Sequence, residues 1–262
     1  MPDPRTPSRR SVVRGVAWSA PVVAVAATAP AYAASPCQTR YSYRLDWGTT
    51  SYTRSGARNA SASVTTTGGT PVSVTFASTS STTSNVPDAT RNLSVPANTG
   101  IGTTADPVVT SLGGRAGERG VMLYHASSTA GRANRQEVTI TFGRAVRGLQ
   151  FWITDIDTIA SPAYSDRVEL IGYNSVGAVV PFASTNDGVS GAGSEGSPWL
   201  RSAEANVSEN AAGAQTSVNF TAATPSATTD VKSMKLTYWN ATGGTQFHRI
   251  FLGDLSFTAM GC

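Results

Sequence analysis

Gly148-Leu149-Gln150-Phe151-Trp152-Ile153-Thr154-Asp155-Ile156-Asp157, continued by Thr158-Ile159-Ala160-Ser161-Pro162-Ala163-Tyr164-Ser165-Asp166, decides the fold of this 262-residue chain. Leu149, Phe151 and Ile153 alternate with Gln150, Trp152 and Thr154. That is the period of a strand with one face in a core. The apolar face ends in Asp155 and Asp157, which alternation would place on one side of the strand. A buried carboxylate without compensation costs several kcal/mol, so these two require a cation, hydrogen bonds or water. Asp166, ahead of the next apolar run, is the third oxygen donor within reach in sequence.

The same alternation recurs on both sides of this stretch. Tyr41, Tyr43, Leu45 and Trp47 form a first strand, and Val72, Val74 and Phe76 a second after a turn at Gly68-Gly69. Residues 77–117 read as long loops with room for one short strand. Strands return at 121–124 and at Val138, Ile140 and Phe142, and residues 143–148 are expected to turn the chain into the opening stretch. Further strands follow at Val168 and Leu170, 178–182, Val218 and Phe220, and Met234, Leu236 and Tyr238. A Gly243-Gly244 hairpin leads into the last strand. There Ile250 and Leu252 share one parity, and Leu255 and Phe257 the other. One extra residue at Gly253-Asp254, a bulge, brings all four back to one face and aims Asp254 toward the mouth of the fold. No helix is expected after the N-terminal segment. Short strands separated by Gly, Pro, Ser and Thr loops predict an all-β chain, a β-sandwich of jelly-roll type with antiparallel strands.

Residues 1–33 have a different character. Ser8-Arg9-Arg10-Ser11-Val12-Val13-Arg14 precedes an alanine-rich apolar run and Ala31-Tyr32-Ala33. A basic start, an apolar middle and an A-x-A end make an export signal, with cleavage expected between Ala33 and Ala34. The paired arginines give it the form of a twin-arginine signal. Residues 34–262 are then one secreted domain, with no later run able to span a membrane and no tail after the last strand. The whole chain carries 20 Lys and Arg against 16 Asp and Glu, but Arg5, Arg9, Arg10, Arg14 and Asp3 lie in the signal, leaving 16 against 15. This near-neutral balance gives no phosphate track, so nucleic acid is not an expected partner. The two cysteines, Cys37 and Cys262, are expected to pair in an oxidising exterior and to staple the ends of the domain; two reduced thiols are the alternative.

Asp155, Asp157 and Asp166 are the candidate metal ligands. With a loop carbonyl they offer an oxygen shell to calcium, whose extracellular sites need only weak affinity. Hydrogen-bonded capping of the strand end is the competing account. A glycosidase acid and base form a third, weakened because strand neighbours share one environment. Trp152, of opposite parity to the core, and Trp199, Trp239 and Tyr164 are candidate ligand-binding aromatics, since exposed rings stack on sugars. His125 and His248 read as ordinary strand-end residues. Gly191-Ala192-Gly193-Ser194-Glu195-Gly196 matches a dinucleotide-binding pattern in letters only, because Ser197-Pro198 follows and no helix opens.

Phe151 to Asp157, Asp166-Arg167-Val168-Glu169-Leu170 and Phe251-Leu252-Gly253-Asp254-Leu255-Ser256-Phe257 together resemble a loosely defined group of secreted bacterial β-sandwich modules. Many of these occur in actinobacteria, and some are embedded in surface or adhesin-like proteins. The resemblance covers approximately residues 120–262, and Leu45-Asp46-Trp47 extends it weakly to the start. It implies a non-catalytic extracellular module, and carries no catalytic residues with it. The expected partner is cell-envelope or extracellular material, glycan or protein. The alternatives are a hydrolase of extracellular polysaccharide and a purely structural envelope or adhesion protein.

Overall fold

The structure, a computed structural model, describes residues 36–81, 90–96, 108–125, 127, 129–160, 163–220, 229–243 and 248–262. The export signal, its cleavage point and most of the hairpin after Gly243 lie outside the described residues. Fourteen strands follow in order: β1 Arg40–Leu45, β2 Ser51–Arg54, β3 Asn59–Thr66, β4 Gly69–Ser80, β5 Val121–His125, β6 Gln136–Thr154, β7 Thr158–Ala160, β8 Ala163–Tyr173, β9 Val179–Val180, β10 Ala183–Asp187, β11 Gln215–Asn219, β12 Val231–Asn240, β13 His248–Leu252 and β14 Leu255–Met260. Every pairing named below is antiparallel, and the helical content of the described residues is three short 3-10 turns. The expected all-β sandwich is what the chain forms.

β6 is the organising element, and it differs from the expectation. Residues 143–148 do not break it; the strand runs for 19 residues and bends, with Gly148 at φ +62°. A side chain there would clash with its own backbone, so glycine lets the strand turn a corner without ending. One edge of β6 pairs first with β4, from Ser80 opposite Gln136 to Val74 opposite Phe142, and then with β14 and β13. The other edge pairs with β12 up to Val146 and then with β11 from Gln150 onward. Its first half therefore belongs to a sheet ordered β2-β3-β4-β6-β12-β8-β7. Its second half belongs to another, in which β14 and β13 separate β6 from β1 and β5, while β11 separates it from β10.

Alternation decides what lies between the layers. β3 buries Ala60, Ala62 and Val64, and β4 buries Val72, Val74 and Phe76, while their Ser and Thr neighbours face water. Opposite them, Phe257 of β14 lies 5.4 Å from Phe142 and 5.6 Å from Tyr43, and Trp47 lies 5.7 Å from Phe76. Rings at these separations interlock the two sheets over one continuous core. Each fully buried Phe or Leu contributes roughly 1.5–3 kcal/mol by leaving water.

The bulge occurs where the parity predicts it. Leu252 is opposite Ile153 and Ser256 is opposite Gln150, so four steps along β13 and β14 match three along β6. Ile250, Leu252, Leu255 and Phe257 are all buried as a result. Cys37 and Cys262 form a disulfide beside the β1–β14 pairing, which joins the ends of the described domain as expected.

Candidate functional site

Beyond Thr154 the structure corrects the simplest reading of the acidic pair. β6 ends there, and Asp155 adopts φ +66°, so Asp155 and Asp157 do not project from one strand face. Asp155 turns toward Arg249, whose Nε lies 3.4 Å from Asp155 Oδ2. The same guanidinium reaches Glu209 at 3.4 Å. Asp157 accepts the backbone N–H of Val207 at 2.9 Å, and its own N–H donates to Asp166 Oδ2 at 3.0 Å. Asp166 in turn accepts the Tyr238 hydroxyl at 2.7 Å.

These groups are enclosed: Asp155 is 7% exposed, Asp157 2% and Asp166 1%. Burial pushes the Asp157 carboxyl up to about 6, against the Val207 N–H and the charges of Arg201 and Arg249. It pushes Asp166 up to about 8, opposed by the Asp157 N–H and Tyr238 hydrogen bonds. Asp155 is raised as well by burial, with Arg249 opposing. The half-buried Tyr164 joins the group: burial and then the three carboxylates raise its hydroxyl.

The three acids are thus brought together, but with protein partners. Among the described residues, one buried oxygen of these three acids, Asp157 Oδ1, has no hydrogen-bond partner. Among the described residues no three acidic, histidine or cysteine side chains are arranged to hold a metal ion. A calcium shell needs several oxygens turned to one point; Asp166 accepts the Tyr238 hydroxyl and the Asp157 N–H, and Asp155 Oδ2 faces Arg249, while Asp157 Oδ1 takes none of these donors. What the arrangement does chemically is tie the end of β6, the β7–β8 hairpin and the 207–214 segment to one polar centre.

The aromatic candidates separate. Trp199 is fully buried and hydrogen-bonds through its backbone to Val168 in both directions; Trp239 is 6% exposed, with the Arg132 guanidinium 6.0 Å from its ring. Neither presents a ring face outward, which corrects their reading as surface platforms. Tyr164 belongs to the carboxylate cluster. Trp152 stands half-exposed on the outer side of β6, with Arg115 stacked 4.4 Å from its centroid.

Beside Trp152 the register assembles a site that parity alone did not reveal. Arg44 of β1 is opposite Ser256 of β14, and Ser256 is opposite Gln150 of β6. The small Ser256 lies between two long side chains, so the outer face sinks into a trough along β14. One hollow of about 190 Å³ is lined by Arg44, Glu118, Gln150, Trp152, Asp254 and Ser256, and reaches Phe151. Another of about 380 Å³ shares Arg44, Gln150 and Ser256 and continues over Ser42, Thr258 and Gly148. Asp254 shapes one end: it accepts Arg44 at 2.7 and 3.1 Å and the Trp47 backbone N–H at 3.0 Å. It is therefore held at the bulge by these partners rather than aimed freely at solvent.

Sequence reasoning missed Arg44, Gln150, Ser256 and Thr258. Their one signal is polar parity opposite to the core, which every half-exposed strand shows. No protein-family profile, curated protein or solved structure matches the chain.

Proposed function

We propose that the protein is a non-catalytic module of the cell exterior that binds glycan of the envelope or its surroundings through the outer trough along β14. The observation that carries this reading is the trough's composition: hydroxyls at Ser42, Ser256 and Thr258, an amide at Gln150, a fixed guanidinium at Arg44 and an indole at Trp152. A polyhydroxylated ligand needs such donors and acceptors beside one apolar ring. The export-type N-terminus and the Cys37–Cys262 bridge support an extracellular setting. The resemblance to secreted bacterial modules points the same way. A hydrolase reading gains nothing from Asp155, Asp157 and Asp166, because their enclosure leaves no bond between them to cleave.

The test is co-sedimentation of the protein with insoluble glycans and purified cell walls, alongside Trp152→Ala and Gln150→Ala. Pelleting by the wild type and loss in both variants is expected. Pelleting that both variants retain would move the site elsewhere, and none with any material would leave a structural role.

A further inference from the structure

Charge is distributed unevenly along the trough. At its Trp152 end bases and acids match: Arg44 pairs with Asp254 at 2.7 Å, Arg115 pairs with Glu118 at 2.5 Å, and Arg119 lies beside Asp46 at Gly48. At the Thr258 end they do not. Arg40, on the outer face of β1, and Arg147, opposite Thr258, share the single carboxylate of Asp230, which Arg147 Nε meets at 2.7 Å. One guanidinium is therefore in surplus there, and residues 221–228, which precede this acid, contain no charged side chain to offset it. Around the β6 bend, Lys232 donates to the Phe142 and Gly143 carbonyls and Arg144 to Thr70 and the Tyr43 hydroxyl, so neither brings an acid with it. A carboxylate on Cys262 would cancel one of these charges and leave the balance positive.

The surplus cation is held in place. Buried Asp230 stands at the start of β12, beyond β6, so the Arg40 side chain crosses the outer face of β14 to reach it and closes the trough past Thr258. Asp230 engages only the Nε of Arg147, and among the described residues both amino groups of that guanidinium are without a hydrogen-bond partner. Two N–H donors presented side by side match the two oxygens of a carboxylate. Donors fixed in advance lose little entropy on binding.

Shape and composition define the rest of the ligand. The two hollows share the Arg44–Ser256–Gln150 row and extend from it in opposite directions, toward Asp254 and toward Thr258. The strand from Asp254 to Thr258 spans about 13 Å, the reach of roughly two to three linked sugars. The hydroxyls of Ser42, Ser256 and Thr258 and the Gln150 amide suit a polyhydroxylated chain, and the Trp152 indole suits a sugar ring, which a polyol phosphate lacks. β14 is hydrogen-bonded on both edges, to β1 and to β6, so an extended peptide could not add itself to the sheet there. Resting on the binding reading above, we infer that the ligand is an acidic linear glycan of the uronate type, lying lengthwise along β14 with one carboxylate on the amino groups of Arg147.

Titration calorimetry with oligogalacturonates and oligomannuronates of one to six units, set against neutral xylo- and cello-oligosaccharides, tests this. One uronate series should bind about tenfold or more tighter than the neutral sugars, and should weaken about threefold or more between about 0.05 and 0.5 M NaCl. Arg147→Gln should remove most of that preference. Thr258→Asp, which sets a carboxylate of the chain's own opposite Arg147, should remove it with Tm held. Neutral sugars bound as tightly as uronates, and without regard to salt, would overturn the acidic class while leaving the trough as the site. Uronate affinity unchanged in both variants would overturn the place of the charge. Failure of every soluble probe while whole cell walls still pellet through Trp152 would overturn the uronate class alone; failure of both would overturn the binding reading itself.

Discussion

Asp157 and Asp166 are joined in both directions: the Asp157 N–H donates to Asp166 Oδ2 at 3.0 Å, and the Asp166 N–H donates to the Asp157 carbonyl at 2.9 Å. This exchange brings two buried carboxyls beside one another at the end of β6, with Arg201, Arg249, Glu209, Arg167, Tyr164 and Tyr238 as their charged or titratable surroundings. Proximity to one another and loss of water both disfavour their ionised forms.

A pH dependence follows with a definite sign. The unfolded carboxyls lose their protons near about 4, whereas the native ones hold them up to about 6 at Asp157 and about 8 at Asp166. Between these limits the native state binds more protons, so stability falls as pH rises. Thermal unfolding should therefore give a Tm several degrees higher near about pH 5 than near about pH 8. Asp166→Asn, which stays neutral throughout, should flatten that slope. A wild-type Tm that climbs over this range would mean the pair is ionised in the folded protein.

Calcium should matter little. Asp166 spends its oxygens on Tyr238 and the Asp157 N–H, and Asp155 faces Arg249. A cation would have to displace these donors and repel the guanidinium. Tm in millimolar calcium and in excess chelator should agree within about 1 °C. A stabilisation that saturates with calcium would show that the carboxylates rearrange around an ion.

The core and the bulge were legible in the sequence because alternation is a local signal: Leu149, Phe151 and Ile153 face inward, and the phase change at Gly253-Asp254 counts one residue too many. The continuity of β6 was not legible. Glycines at 143 and 148 read as a turn, whereas long-range pairing with β4, β12 and β14 carries the strand through them. The acidic centre was found by its composition and misread in geometry, since only the positive φ of Asp155 breaks the alternation. Its partner Arg249 lies 94 positions from Asp155 in sequence. The trough needed three strands in register, and nothing local to Ser256 marks it.

The glycines of residues 191–196 should prove structural. Gly193 sits at φ +71°, and a Cβ there would lie 2.4 Å from the buried Trp199 ring. Gly193→Ala should cost about 2 kcal/mol or more from backbone strain and overpacking together. Trp199→Ala should cost about 3–5 kcal/mol through the cavity it leaves. Denaturant unfolding reads both. A Gly193→Ala variant as stable as the wild type would show that the loop moves away from Trp199.

Finally, the Cys37–Cys262 bridge should act on binding as well as on stability. It closes a separation of 225 residues, for which loop entropy sets an upper contribution of about 5 kcal/mol. β1 is held to β14 by pairs from Arg40 opposite Met260 to Leu45 opposite Leu255, and the Gly261 N–H continues the contact to Thr39. Removing both cysteines with Cys37→Ser and Cys262→Ser should lower Tm on the order of 10 °C. β1 also supplies Ser42 and Arg44, one wall of the trough. Fraying that begins at Cys37 should loosen this wall before the domain unfolds, so glycan pelleting should weaken at temperatures where circular dichroism still reports a folded protein. Equal Tm and equal pelleting in the double variant would mean that the β1–β14 ladder holds the ends, and the trough wall, without the disulfide.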